Sequence, residues 1–171
     1  VSGTDGTFTG GVNVGSATGA TAGQIKASAA VLSVQPCCRA RKSAATQAIT
    51  TNTWTDVTFD AEDFDTDTMH STVSNTERLV ATTAGYYHIT ASIDFASDAT
   101  GIRAGTIYFN NTAFIAVVEQ VAINGDNTRF CVAVDYPLAA GEYVTLRVYH
   151  LKGSDLNAVN SQYTCLSMYL I

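Results

Sequence analysis

The sequence predicts an all-β protein, a sandwich or barrel of short strands, on three observations. Eight segments read as strands, the clearest of them alternating apolar and polar residues with a period of two. Turn signals rich in Gly, Asn, Asp and Pro separate them. No stretch of useful length repeats at 3.6 residues, and two prolines in the whole chain leave the strands uninterrupted. Of 171 residues, 46% are hydrophobic and 14% charged, which is too apolar for a disordered chain and too poor in charge for a helical bundle. A net charge of -6 and a pI near 4.8 argue against a surface that tracks phosphates, so no nucleic-acid partner is expected. The chain has no apolar run of about 18 residues, so no membrane insertion is expected either.

Residues 1–36 form the first expected region. Gly3, Gly6, Gly10, Gly11, Gly15, Gly19 and Gly23 crowd its start among Ala, Thr and Ser. Such a segment lacks the large side chains to build a core alone. Val12, Val14 and Ile25 among the threonines suggest short strands. The segment is read as a stalk that orders against copies of itself, with a flexible arm as the other reading.

Residues 37–171 form the second region, a head. Its expected strands are, in order, "WTDVTF" (Trp54 to Phe59), "ERLVA" (Glu77 to Ala81), "TTAGYYHITASIDF" (Thr82 to Phe95), "AGTIYFN" (Ala104 to Asn110), "AFIAVVEQVAI" (Ala113 to Ile123), "TRFCVAVDY" (Thr128 to Tyr136), "EYVTLRVYHL" (Glu142 to Leu151) and "QYTCLSMYLI" (Gln162 to Ile171). "FNNT", "NGDN", "PLAAGE" and "KGSD" supply turns between them. The loops Asp60 to His70, Ser97 to Arg103, Asn124 to Asn127 and Lys152 to Gln162 are expected to carry ligand contacts.

Three of these strands are two-faced. Tyr87, Ile89, Ala91, Ile93 and Phe95 alternate with Tyr86, His88, Thr90, Ser92 and Asp94. Val144, Leu146 and Val148 alternate with Tyr143, Thr145, Arg147 and Tyr149, and Leu166, Met168 and Leu170 with Tyr163, Cys165, Ser167 and Tyr169. The aliphatic faces want a core. The recurring aromatic faces suggest contact between copies of the chain, carried by Tyr86, His88, Tyr143, Tyr149, Tyr163 and Tyr169.

Three phrases resemble the globular heads of the C1q and tumour-necrosis-factor-like family. Ala84, Gly85, Tyr86 and Tyr87 match the phrase that opens a long central strand. Leu138, Gly141, Val144 and Leu146 match a second phrase, and Ser161, Tyr163, Leu166 and Met168 match the terminal one. Cys165 departs from the pattern, standing where the family usually has glycine. "NTWTDVTFDAEDFDTDTMH" and "GGVNVGSATGATAGQIKASA" look most like the version carried by bacteriophage tail and head fibres and decoration proteins. The resemblance implies a jelly roll of about ten strands, a homotrimer, and recognition or virion structure rather than catalysis. It implies a protein on the virion surface or extracellular, joined to a virion or filament scaffold through its N-terminal segment, its head binding a host-surface glycan or protein. A capsid cement or surface-filament subunit without receptor binding is the alternative.

Asp63, Asp65 and Asp67 open like an EF-hand, but Thr68 stands where the sharp-turn glycine belongs and Ser74 where the bidentate glutamate belongs. A simpler calcium site at these three aspartates is the metal expectation. Cys37 and Cys38, at the junction of stalk and head, are the candidates for an interchain disulfide, against reduced structural thiols. No G-x-S-x-G elbow occurs; a small polysaccharide hydrolase would need a carboxylate pair such as Glu62 with Asp65 or Glu119 with Asp135.

Overall fold

The structure, a computed structural model, describes residues 12–14, 25–27 and 35–171. The chain divides into two units, residues 1–35 and 36–171. In the first, β1 (Val12–Val14) pairs with β2 (Ile25–Ala27) in parallel, Val12 opposite Ile25. The expected stalk otherwise lies outside the described residues.

The second unit is a sandwich of two antiparallel sheets with no helix among its residues. One sheet has the order β10 (Ala113–Val121), β9 (Ile102–Phe109), β12 (Tyr143–His150), β5 (Thr55–Asp56), with β7 (Arg78–Val80) also on β12. The other runs β4 (Gln47–Ile49), β13 (Leu156–Ala158), β8 (Gly85–Phe95), β14 (Cys165–Leu170), β3 (Cys37–Arg41), β6 (Ala61–Asp65), with β11 (Thr128–Leu138) along β8. This is the jelly roll expected, with twelve strands in place of about ten because several two- and three-residue pairings join the sheets.

Period-two alternation decides which side chains meet between the sheets. Tyr87, Ile89, Ala91, Ile93 and Phe95 of β8, Leu166 and Met168 of β14, and Val144, Leu146 and Val148 of β12 are all buried in one core. Tyr87 keeps its hydroxyl satisfied there by donating to the Thr83 carbonyl at 2.7 Å. The core ends in polar groups: Arg103 and His150, opposite each other on β9 and β12, are fully buried. Asn110 (φ 44°) and Asn111 (φ 55°) make the turn between β9 and β10, closed by Thr112 N donating to the Phe109 carbonyl.

Candidate binding surfaces

The outward face of the seven-stranded sheet follows from register. Three rows cross it: Asp135, His88, Tyr169, Cys37; then Ala133, Thr90, Ser167, Arg39; then Cys131, Ser92, Cys165, Arg41. The middle of this face is small and neutral. Its rim is not. Arg39 and Arg41 both hold Asp63, Arg41 Nε at 2.7 Å, and His88 Nδ1 meets Asp135 Oδ1 at 2.6 Å. Tyr86, Tyr163 and Tyr169 stand exposed around it, at 62%, 52% and 43%. Tyr169 lies 5.1 Å from the His88 ring, and Tyr163 beneath the Arg129 guanidinium.

The six residues expected at an interface therefore divide between opposite faces. Tyr86, His88, Tyr163 and Tyr169 share the face just described. Tyr143 and Tyr149 lie outward on β12, in the other sheet. The reason is topological: an aromatic face on a strand says which residues share a side, and nothing about which sheet the strand joins.

The acidic stretch is not a loop throughout. Residues 61–65 form β6, whose ladder with β3 shifts register between Arg39 and Ala40; Asp63, skipped by the ladder, takes both arginines. Asp65 accepts the backbone N–H groups of Asp67, Met69 and His70 at 2.9 to 3.1 Å, and Asp67 accepts from the Thr82 hydroxyl. Each of the three aspartates is thus engaged by a different protein group. Among the described residues no cluster of three or more His, Cys, Asp or Glu is arranged to hold a metal. Thr68 takes φ 57°, the backbone conformation for which an EF-hand reserves glycine.

Geometry separates the cysteines. Cys38 faces the core with no exposure, and burial, followed by the charges of Asp65 and Glu62, pushes its thiol well above the usual range. A bond from Cys38 to another chain would require β3 to leave its sheet, which corrects its place beside Cys37 as a cross-linking candidate. Cys37 lies outward, its N–H donating to Thr66 Oγ1 at 2.9 Å. All four cysteines are free thiols.

Of the hydrolase pairs, Glu62 and Asp65 hold the same residue: Glu62 Oε1 meets His70 Nδ1 at 2.8 Å, and Asp65 Oδ2 accepts the His70 N–H at 2.9 Å. Glu119 and Asp135 belong to strands of different sheets.

The outward face of the five-stranded sheet carries an arrangement that the sequence reading missed. Trp54 packs 4.8 Å from Phe114 and 5.3 Å from Tyr149 between ring centroids, and Phe114 lies 5.2 Å from Tyr108. Arg147 stacks 3.9 Å over Tyr108 and forks onto Asp56, Nε to Oδ1 at 2.9 Å and Nη2 to Oδ2 at 2.8 Å. Asn111 Oδ1 accepts from the same guanidinium at 2.8 Å. Attraction to Asp56 raises the Arg147 pKa. Beside it, Arg78 lies 4.2 Å over Tyr143 and pairs with Glu77. Asp56, Glu77, Arg78, Asn111, Tyr143, Thr145 and Arg147 line a cleft of about 230 Å³. The lining residues come from β5, from β7 and the residue before it, from β12, and from the turn between β9 and β10. The sequence signal available was Trp54 two positions from Asp56 and Tyr149 two from Arg147.

No family model and no curated protein matches the chain. Solved structures do. Eiger TNF from S. frugiperda superposes with a TM-score of 0.60 at 13% identity, over 80% of this chain and 92% of that one. Murine APRIL, solved at pH 5.0, gives a TM-score of 0.61 at 10% identity, over 80% of this chain and 99% of that one. At such identities the likeness is one of fold, and with the strand order above it makes the second unit a jelly roll of the tumour-necrosis-factor-like kind.

Proposed function

We propose that this chain is a non-enzymatic binding head that acts as a homotrimer, packed through the outward face of the seven-stranded sheet. One observation carries the reading. Rows of small, neutral side chains (Ala133, Thr90, Ser167; Cys131, Ser92, Cys165) cross the middle of that face, and exposed tyrosines frame it. A flat face free of bulk lets backbones approach, and its tyrosines bury apolar area while keeping their hydroxyls wet. The similar quoted phrases and the glycine-rich segment before the head support a fibre, tail-tip or head-decoration role on a virion, attaching to a host-surface glycan or protein. The N-terminal segment would then join the head to the particle.

The test is mass in solution. Three copies of an 18.0 kDa chain give about 54 kDa, 3 × 18.0, by light scattering at micromolar concentration. Ala133, exposed on the face, should tolerate arginine in an isolated head, so Ala133→Arg is expected to yield a folded species near 18 kDa. A wild-type monomer would refute the assembly. The trimer is expected to survive chelator unchanged, because Asp63, Asp65 and Asp67 already accept from protein donors.

A further inference from the structure

We propose that the outward face of the five-stranded sheet binds a neutral saccharide, with Trp54, Phe114 and Tyr149 taking the C–H face of a sugar ring and Arg147, Asp56 and Asn111 its hydroxyls. This deepens the reading of the chain as a binding head by naming a ligand class and a site.

A pyranose has a weakly polar C–H face and an equator of hydroxyls that both donate and accept. Its binding site needs an aromatic surface beside planar polar groups of both kinds. Trp54, Phe114 and Tyr149 supply the surface, with Phe114 48% exposed. The polar groups adjoin it on the same strands. Arg147 lies two residues from Tyr149 on β12, and Asp56 two residues from Trp54, so period two places each pair on one side of its strand. The fork onto Asp56 and the stack on Tyr108 fix the Arg147 plane, so its donors are oriented before any ligand arrives.

Charge selects the class. Each arginine in the cleft is matched by a carboxylate, Arg147 by Asp56 and Arg78 by Glu77. An anion would gain little from guanidiniums already neutralised and would be repelled by the acids, whereas a hydroxyl can donate to one and accept from the other. Size agrees. A cleft of about 230 Å³ is smaller than the roughly 300–1,000 Å³ typical of drug-sized ligands, which suits one ring within the polar part. From Tyr149 to Tyr143 the face runs six residues, about 20 Å, leaving room for neighbouring units of a chain. The site lies on the sheet opposite to the proposed contact between copies. A trimer would therefore present three clefts, and a polymeric glycan would bind with avidity that a single cleft lacks.

Trp54 is the only tryptophan in the sequence, so selectively excited tryptophan emission reports on this face alone. The full chain is titrated with maltotriose, cellotriose and β-1,4-galactobiose as neutral probes, and with 3′-sialyllactose and glucose 6-phosphate as anionic ones. Saturable change in Trp54 emission with at least one neutral probe is expected. Phe114→Ala should weaken that response at least about tenfold. So should Asn111→Gly, which removes the amide while tolerating the positive φ; circular dichroism checks that both variants fold. Silence with every neutral probe at tens of millimolar, response to the anions alone, or sugar binding seen by saturation-transfer NMR without change at Trp54 would each overturn the site. Light scattering on the same samples keeps the two readings apart. A sugar-silent trimer sinks the saccharide site alone, while a monomer whose Trp54 responds sinks only the assembly.

Discussion

His150 shows how far a single residue's partners can determine its state. Its Nε2 lies 2.8 Å from the Ile49 carbonyl, which can only accept, and its Nδ1 lies 3.3 Å from the Lys152 N–H, which can only donate. The ring is thereby held neutral, with its proton on Nε2. Burial, followed by the positive charges of Arg103 and Lys152 and against the pull of the Ile49 carbonyl and Asp155, lowers its pKa below the ordinary 6.5. The unfolded chain then binds the extra proton first. Stability is complete above about pH 6.5 and falls as the pH drops through that value toward the depressed folded one. Urea midpoints at pH 7.5 and 5.0 should show the loss, and His150→Asn should flatten the slope; an unchanged slope would show that His150 is not its source. Backbone geometry sets an equally local limit at Gly101. It sits at φ 77°, and a Cβ there would lie 2.0 Å from the Leu151 carbonyl oxygen. Since backbone cannot swing away as a side chain can, Gly101→Ala should cost about 3 kcal/mol, lowering the denaturation midpoint at constant m.

Among the elements, β3 and β6 depend on each other through charge. Asp63→Asn would leave Arg39 and Arg41 without their shared carboxylate. These side chains are about one-third exposed, so the expected loss is modest, about 0.5–1 kcal/mol, and should shrink in high salt. Packing across the sheets is worth more: Leu146→Ala, in the middle of β12, should cost about 2–5 kcal/mol by equilibrium unfolding. The same contrast explains what the sequence made legible. Strands β8, β12 and β14 emerged within a few residues because each lays an apolar row against the core, a pattern written in neighbouring positions, and β9 to β11 because turn signals bound their β-branched and aromatic runs. Strands β3 and β6 escaped because "CCRAR" and "AEDFD" look like a charged junction and a hydrated loop until they are laid side by side, some twenty residues apart in the chain. Of the expected "WTDVTF" strand only Thr55–Asp56 pairs in the ladder, although Val57 N still donates to the Leu146 carbonyl. The saccharide cleft was hidden for the same reason on a larger scale, since no local pattern joins Trp54, Asn111 and Arg147. Non-local pairing also accounts for Tyr143 and Tyr149 lying apart from the other tyrosines.

At the scale of the whole molecule, the two sheets turn separate outer faces to their surroundings, one small and neutral, the other aromatic and polar. If both proposals hold, mutations on one should leave the other's readout intact: Ala133→Arg should abolish the trimer yet preserve the Trp54 response of each head to a neutral sugar. Loss of both together would mean that the faces are coupled. The position of β14 has a further consequence, in time rather than space. It follows every other strand in chain order, yet it lies between β3 and β8. During synthesis the larger sheet must therefore wait with a gap one strand wide, its two bordering edges unpaired, until residues 165–170 leave the ribosome. Copies cannot join through a face that is still open. A chain stopped near residue 164 would hold a vacant slot that any passing strand could fill, so this head is exposed to aggregation until β14 arrives.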